Sequence, residues 1–144
     1  MAYPQLTDKP GALETAAAIR AGTLSVAEAV DAAITRIEHL DAGVNALAVP
    51  DFERAAETAK AMDKHGPSPD QPLFGVPMTV KESFNVAGLQ SCWGHEKLTD
   101  FVPTSDSELV ARMKAAKFGC FFFGMGLSMT RGKQTRHPCK VLYY

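Results

Sequence analysis

Residues 73–83 read Leu-Phe-Gly-Val-Pro-Met-Thr-Val-Lys-Glu-Ser, and no other stretch constrains the chain as much. The run is mostly apolar, with Val76, Met78 and Val80 alternating as they would in a strand, and it delivers a lysine at its end. Burial disfavours an ammonium ion, and a lysine held in an apolar setting becomes a group that can accept a proton from a nucleophile. Lys81 is therefore the one candidate catalytic residue. The same position also suits a lysine that simply points into water.

The segments on either side are helical in pattern. Residues 13–21 are alanine-rich, with Gly22 placed to end the helix in a left-handed turn. Ser25 and Glu28 have the spacing of a capping box, and Val26, Ala29, Val30, Ala33, Ile34, Ile37 and Leu40 form one apolar stripe. A turn is expected over residues 41–43 and a short strand over 44–49, ended by Pro50. Asp51 then caps a third helix that buries Phe52, Ala55, Ala56, Ala59 and Met62. Residues 65–72, rich in proline and glycine, form a loop. Beyond the central stretch, residues 84–88 extend the strand into a turn and residues 90–99, with the only tryptophan, Trp93, are irregular. Ser105 and Glu108 suggest a second capping box opening a helix with Leu109, Val110, Met113 and Ala116 on its apolar face, stopped by Gly119. Residues 120–123 suit another strand. Helices alternating with strands place the chain in the α/β class.

At 144 residues, 46% hydrophobic and 22% charged, the chain is long enough for one domain with a core. Its net charge of −1 hides a break: up to Glu108 there are 16 acidic and 8 basic residues, and afterwards 7 basic and no acidic ones. Cys92, Cys120 and Cys139 have no paired spacing, so a reducing cytoplasm without a disulfide framework is expected. No export leader is read at the start, and no apolar run reaches the ~20 residues of a membrane span.

The segment Gly75-Val-Pro77-Met-Thr-Val-Lys81-Glu82 resembles the lysine motif of the amidase signature family. Its surroundings agree in order: two N-terminal helices with Ser25 and Glu28, Asn45-Ala46 after a turn, an alanine-rich third helix, Gly88, Trp93-Gly94, and a helix from Asp106 to Ala116. The resemblance covers residues 13–116. It implies a mixed sheet flanked by helices, and hydrolysis of carboxylic amides by a serine nucleophile, a second serine with a cis peptide, and a lysine base, with no cofactor. On this resemblance Lys81 is the base and the substrate is a small-molecule amide.

The resemblance also implies an incomplete site. The family's serines lie in a Gly/Ser-rich segment downstream of the lysine, and these residues contain none. Ser128, in Gly126-Leu-Ser-Met-Thr, lacks the second glycine of a nucleophile elbow. The expectation is a partial amidase domain over residues 1–123 and a divergent, disordered basic tail over 124–144, as a changed reading frame or alternative splice would produce. A non-catalytic protein that binds an intact relative, or pairs with itself, is the alternative. Cys92 with His95, and His137 with Cys139, lack the spacing of a zinc knuckle. Arg131, Lys133, Arg136 and Lys140 attract anions without the aromatic interleaving of a nucleic-acid module, so neither metal, nucleic acid nor membrane is expected as a partner.

Overall fold

A computed structural model describes residues 10–44, 46–93, 95–117, 121–123, 127–128 and 142–143. Helix α1 spans Ala12–Arg20. It ends as the sequence predicts: Gly22 takes φ +72, and the amides of Gly22 and Thr23 donate to the carbonyls of Ile19 and Ala18 at 3.1 and 3.0 Å. This is the paired closure of a Schellman turn, and only glycine adopts its backbone without strain.

Helix α2, Val26–Val44, opens with the expected capping box. The Ser25 amide donates to Glu28 Oε2 at 2.8 Å, and the Glu28 amide donates to Ser25 Oγ at 3.1 Å. A second carboxylate, not anticipated from sequence, completes the end. Asp63, on the neighbouring helix, accepts the amides of Val26 at 2.7 Å and Ala27 at 3.0 Å. Two of the four amides that a helix leaves unpaired are thus satisfied from across the fold. Asp63→Ala should destabilise the protein by about 1–2 kcal/mol, the usual size of a lost N-cap. Urea unfolding would measure it, and an unchanged midpoint would mean that water replaces the carboxylate without loss.

The expected turn at 41–43 and strand at 44–49 do not form. α2 continues through Val44, because no proline interrupts it before Pro50, and Asp41 Oδ1 gathers the chain beyond it by accepting the amides of Ala46 and Leu47 at 2.5 and 3.1 Å. Leu47 and Ala48 are buried, and Val49 makes only an isolated bridge. The apolar stripe of α2 is buried at its start, with Val26 and Val30 at 1% exposure, and emerges by Leu40 at 51%.

Helix α3, Phe52–His65, packs along α2. Its N-cap residue is Asp51, as expected, yet that carboxylate takes no backbone amide and instead pairs with Arg54 Nε at 2.5 Å. Ala55, Ala59 and Met62 are buried together with Ile19, Val26, Ala29, Val30, Leu47 and Phe74 in the main core. Small alanines on α3 let the two helices approach closely.

Strand β1, Met78–Val80, pairs in parallel with β2, Phe121–Phe123, in the register Met78–Phe121, Thr79–Phe122, Val80–Phe123. Helix α4, Glu108–Ala115, lies between them in sequence, so the unit is β-α-β, which is how parallel neighbours are joined. Val80, Val86 and the fully buried Val110 form a second, smaller core. The structure is α/β, with few strand residues.

The Ser105–Glu108 capping box is not formed. Ser107 is the N-cap, Glu108 pairs along the helix with Arg112 at 2.8 Å, and Asp106 turns the other way. Asp106 accepts the Ala87 amide at 2.8 Å and binds Lys114 Nζ at 2.7 Å, tying the start of α4 to its end and to the loop after β1. Burial pushes the Asp106 carboxyl upward and is the largest single influence. The Lys114 and Ala87 hydrogen bonds with the charges of Lys114 and Arg54 together outweigh it, and the net result lies below the ordinary 3.8. A depressed folded value stabilises above that ordinary value and loses its contribution as pH falls through the folded one. Asp106→Asn should therefore cost stability at neutral pH and remove part of the loss seen towards roughly pH 3. Unfolding midpoints at both pH values would test it.

In the segment expected to be disordered, Leu127–Ser128 (β3) pairs in parallel with Leu142–Tyr143 (β4). The remainder of that segment, including Arg131, Lys133, Arg136, His137, Cys139 and Lys140, lies outside the described residues, as do Asn45, Gly94, Gly119 and Cys120.

Candidate functional site

Lys81 sits at the carboxyl end of β1, where an α/β sheet presents its ligands. Val80 before it is buried at 4%, Val76 and Met78 are half-buried, and Lys81 itself is exposed. Of the two settings the sequence allows for this lysine, the solvent-facing one is found. The strand carries its apolar residues inward and hands Lys81 to solvent, where it forms no ion pair among the described residues.

The buried ionisable group is its neighbour. Glu82 is 3% exposed, and its Oε1 accepts the amides of Cys92 at 2.7 Å and Trp93 at 3.0 Å. Ser91, fully buried, donates its hydroxyl to the Glu82 carbonyl at 2.9 Å and accepts from Trp93 Nε1 at 3.1 Å. Side chain and backbone of Glu82 thus both hold residues 91–93, and the return loop is fastened to the strand end that carries Lys81. Trp93 is held with φ +53, a left-handed conformation rare for a bulky residue, with its amide and its indole both bonded into this clamp. The other face of Trp93 is open, at 59% exposure.

Neither Glu82 nor Ser91 was singled out from the sequence. A glutamate is almost never fully buried unless paired, and the stretch from Glu82 to Ser91, with Ser83, Asn85 and Gln90 between them, carries no local signal that sets the pair apart. Cys92, also fully buried, is disulfide-bonded, which departs from the expectation, drawn from linear spacing, of no disulfide framework. Among the described residues no group of three or more His, Cys, Asp or Glu could hold a metal ion, and no helix is long and apolar enough to cross a membrane. His95 Nδ1 instead accepts the Lys97 amide at 3.3 Å, capping a short 3-10 turn over Glu96–Leu98.

Known proteins share both the sequence and the geometry. The amidase family model matches residues 28–128, and the chain belongs to that family. A glutamyl-tRNA(Gln) amidotransferase subunit of Oleidesulfovibrio alaskensis is 40% identical over 133 residues, covering 87% of this chain and 27% of that protein. The protein of the same name from Lysinibacillus sphaericus is 33% identical, covering 88% and 28%. The chain thus spans about a quarter of the length of the curated relatives it matches. Among solved structures, a peptide amidase in complex with the inhibitor chymostatin superposes with a TM-score of 0.74 at 25% identity, over 83% of this chain and 25% of that one. A bacterial aryl acylamidase of the amidase signature family superposes at 0.71 with 23% identity, over 81% and 25%, and supports the fold alone.

Proposed function

We propose that Lys81 is the general base of an amide-cleaving site, of which these residues form the lysine-bearing part. The observation that carries the reading is the placement of Lys81. It stands at the carboxyl end of a parallel strand, without an ion pair among the described residues, inside a segment that matches the amidase family.

The chemistry would be cleavage of a carboxylic amide C–N bond. A serine hydroxyl attacks the carbonyl once its proton passes, through a second hydroxyl, to the lysine nitrogen. The proton then goes to the leaving nitrogen as the tetrahedral adduct collapses to an acyl-serine, and water releases the acid. Backbone amides stabilise the oxyanion. The serine nucleophiles and oxyanion loop of that family lie in a Gly/Ser-rich segment that has no counterpart in these residues, so we take the 144-residue polypeptide alone to be catalytically incomplete. The exposure of Lys81 agrees with this view.

Purified alone, the protein should release no ammonia from a panel of aliphatic and aromatic amides. Grafted in place of the matching segment of the Oleidesulfovibrio relative, it should give a hybrid that turns over, and Lys81→Ala in that hybrid should lower kcat by roughly 10²–10⁴-fold. The same substitution should leave the unfolding midpoint within about 0.5 kcal/mol of the parent, since the side chain is exposed. An active Lys81→Ala hybrid would overturn the assignment.

A non-catalytic reading, in which the chain pairs with an intact relative, draws on the β1–β2 sheet, whose outer edges meet no further strand among the described residues. Co-purification with the full-length relative would support it, and a monodisperse monomer that ignores the relative would not.

A further inference from the structure

A cavity of about 410 Å³ opens between α3 and the end of α4, and Lys81 is not part of it. Its floor lies at the seam between the two cores: Ala55, Met62 and Phe74 come from the larger, Val86 and Leu89 from the smaller. The volume falls within the ~300–1,000 Å³ of small-molecule sites, and an apolar floor with a few polar groups at its rim is their usual composition.

The rim is unevenly charged. Arg54, Lys114 and Lys117 border the cavity against a single carboxylate, Asp51. Arg54 is held by Asp51 at 2.5 Å and Lys114 by Asp106 at 2.7 Å. Lys117 is exposed and has no ion pair among the described residues. Its backbone is nonetheless fixed at the rim: φ is +51, and its carbonyl accepts the buried Gly75 amide at 3.4 Å. One uncompensated cation above an apolar floor complements a ligand with one negative charge and an apolar body, rather than a dianionic phosphate or a neutral molecule.

We propose that this cavity binds small amphipathic monocarboxylates, with the apolar body on Phe74, Val86 and Leu89 and the carboxylate beside Lys117. The site is separate from the amide-cleaving reading, and its test needs no turnover.

The test is a titration of the 15N-labelled 144-residue protein with sodium octanoate and, in parallel, octan-1-ol. Octanoate should shift the amides of Thr58, Leu89 and Lys117 saturably with a Kd of about 1 mM or tighter, and the alcohol should bind at least roughly fivefold more weakly, as loss of one close charge interaction implies. Lys117→Gln should weaken octanoate by a similar factor and leave octanol unchanged, and Ala61→Trp should fill the cavity and abolish both. Lys97→Gln, on the 3-10 turn, should change nothing. Equal affinity for acid and alcohol, an unaffected Lys117→Gln, or no saturable shift with octanoate would each overturn the proposal. Lys117 is exposed, so its variant decides the matter even if Ala61→Trp fails to fold.

Discussion

Gly75→Ala should destabilise the protein by about 3–4 kcal/mol, from two separable causes. Gly75 has φ +76, and an alanine there meets the left-handed penalty of ~1–2 kcal/mol. It is also buried beneath the helices: an added Cβ would lie 2.5 Å from Val26 Cγ2 and 3.1 Å from Ile19 Cδ1. Val26 is 1% exposed and branched, so it cannot swing away, and overpacking of this kind adds about 1–3 kcal/mol. Gly22 supplies the control. Its φ is +72, yet nothing lies within 4 Å of the position its Cβ would take. Gly22→Ala should therefore cost only the conformational part, ~1–2 kcal/mol. Thermal unfolding should show the first variant shifted roughly two to three times as far as the second, and equal shifts would refute the claim that α1 and α2 press on Gly75.

Glu82→Ala is the second large effect, at about 3 kcal/mol. The carboxylate is the shared acceptor of two amides, and leaving each buried donor unmade costs roughly 1–3 kcal/mol. Glu82→Gln keeps an oxygen where Oε1 stands and should lose much less. Trp93 is the only tryptophan, and its amide and indole both belong to the clamp, so its fluorescence reports directly on the loop. In Glu82→Ala the emission should change under native conditions, and the Cys92 and Trp93 amides should exchange faster, before any global unfolding. Protected amides and unchanged emission would mean that water or another acceptor takes the place of the carboxylate.

These two residues also mark the limit of what could be read from sequence. The helices were legible because their signals are local: the Ser25–Glu28 box, the Gly22 ending and the spacing of Ala55, Ala59 and Met62 all act within a few residues. The strand at 78–80 and its partner at 121–123 were visible as apolar runs, and the family resemblance was visible in the lysine motif. The errors arose where a distant group decides the outcome. Asp41 draws residues 46 and 47 onto the end of α2 where a strand was expected, and Asp106 holds Lys114 and the Ala87 amide beside a capping box that does not form. Asp63 caps a helix 37 positions earlier in the chain. Lys81 stood out because its chemistry is conspicuous, while the choice of which neighbour the strand end buries depended on one hydroxyl and two amides nine to eleven positions away. Carboxylates are interchangeable in a sequence. Only the fold says which amide each one meets.

The pairing of β1 with β2 has a consequence in time. Met78 meets Phe121, 43 positions further along, so β1 leaves the ribosome well before its partner exists. At ~5–20 residues per second, the interval is a few seconds. Helices α1 to α3 share one core, and Asp63 of α3 completes the start of α2, so they can form during that wait. The strand ladder cannot, because contacts between distant residues require closure of a long loop first. The lysine-bearing strand end should therefore be the last part of the molecule to take shape. Refolding would then show early helical circular dichroism, followed by a slower phase in Trp93 fluorescence.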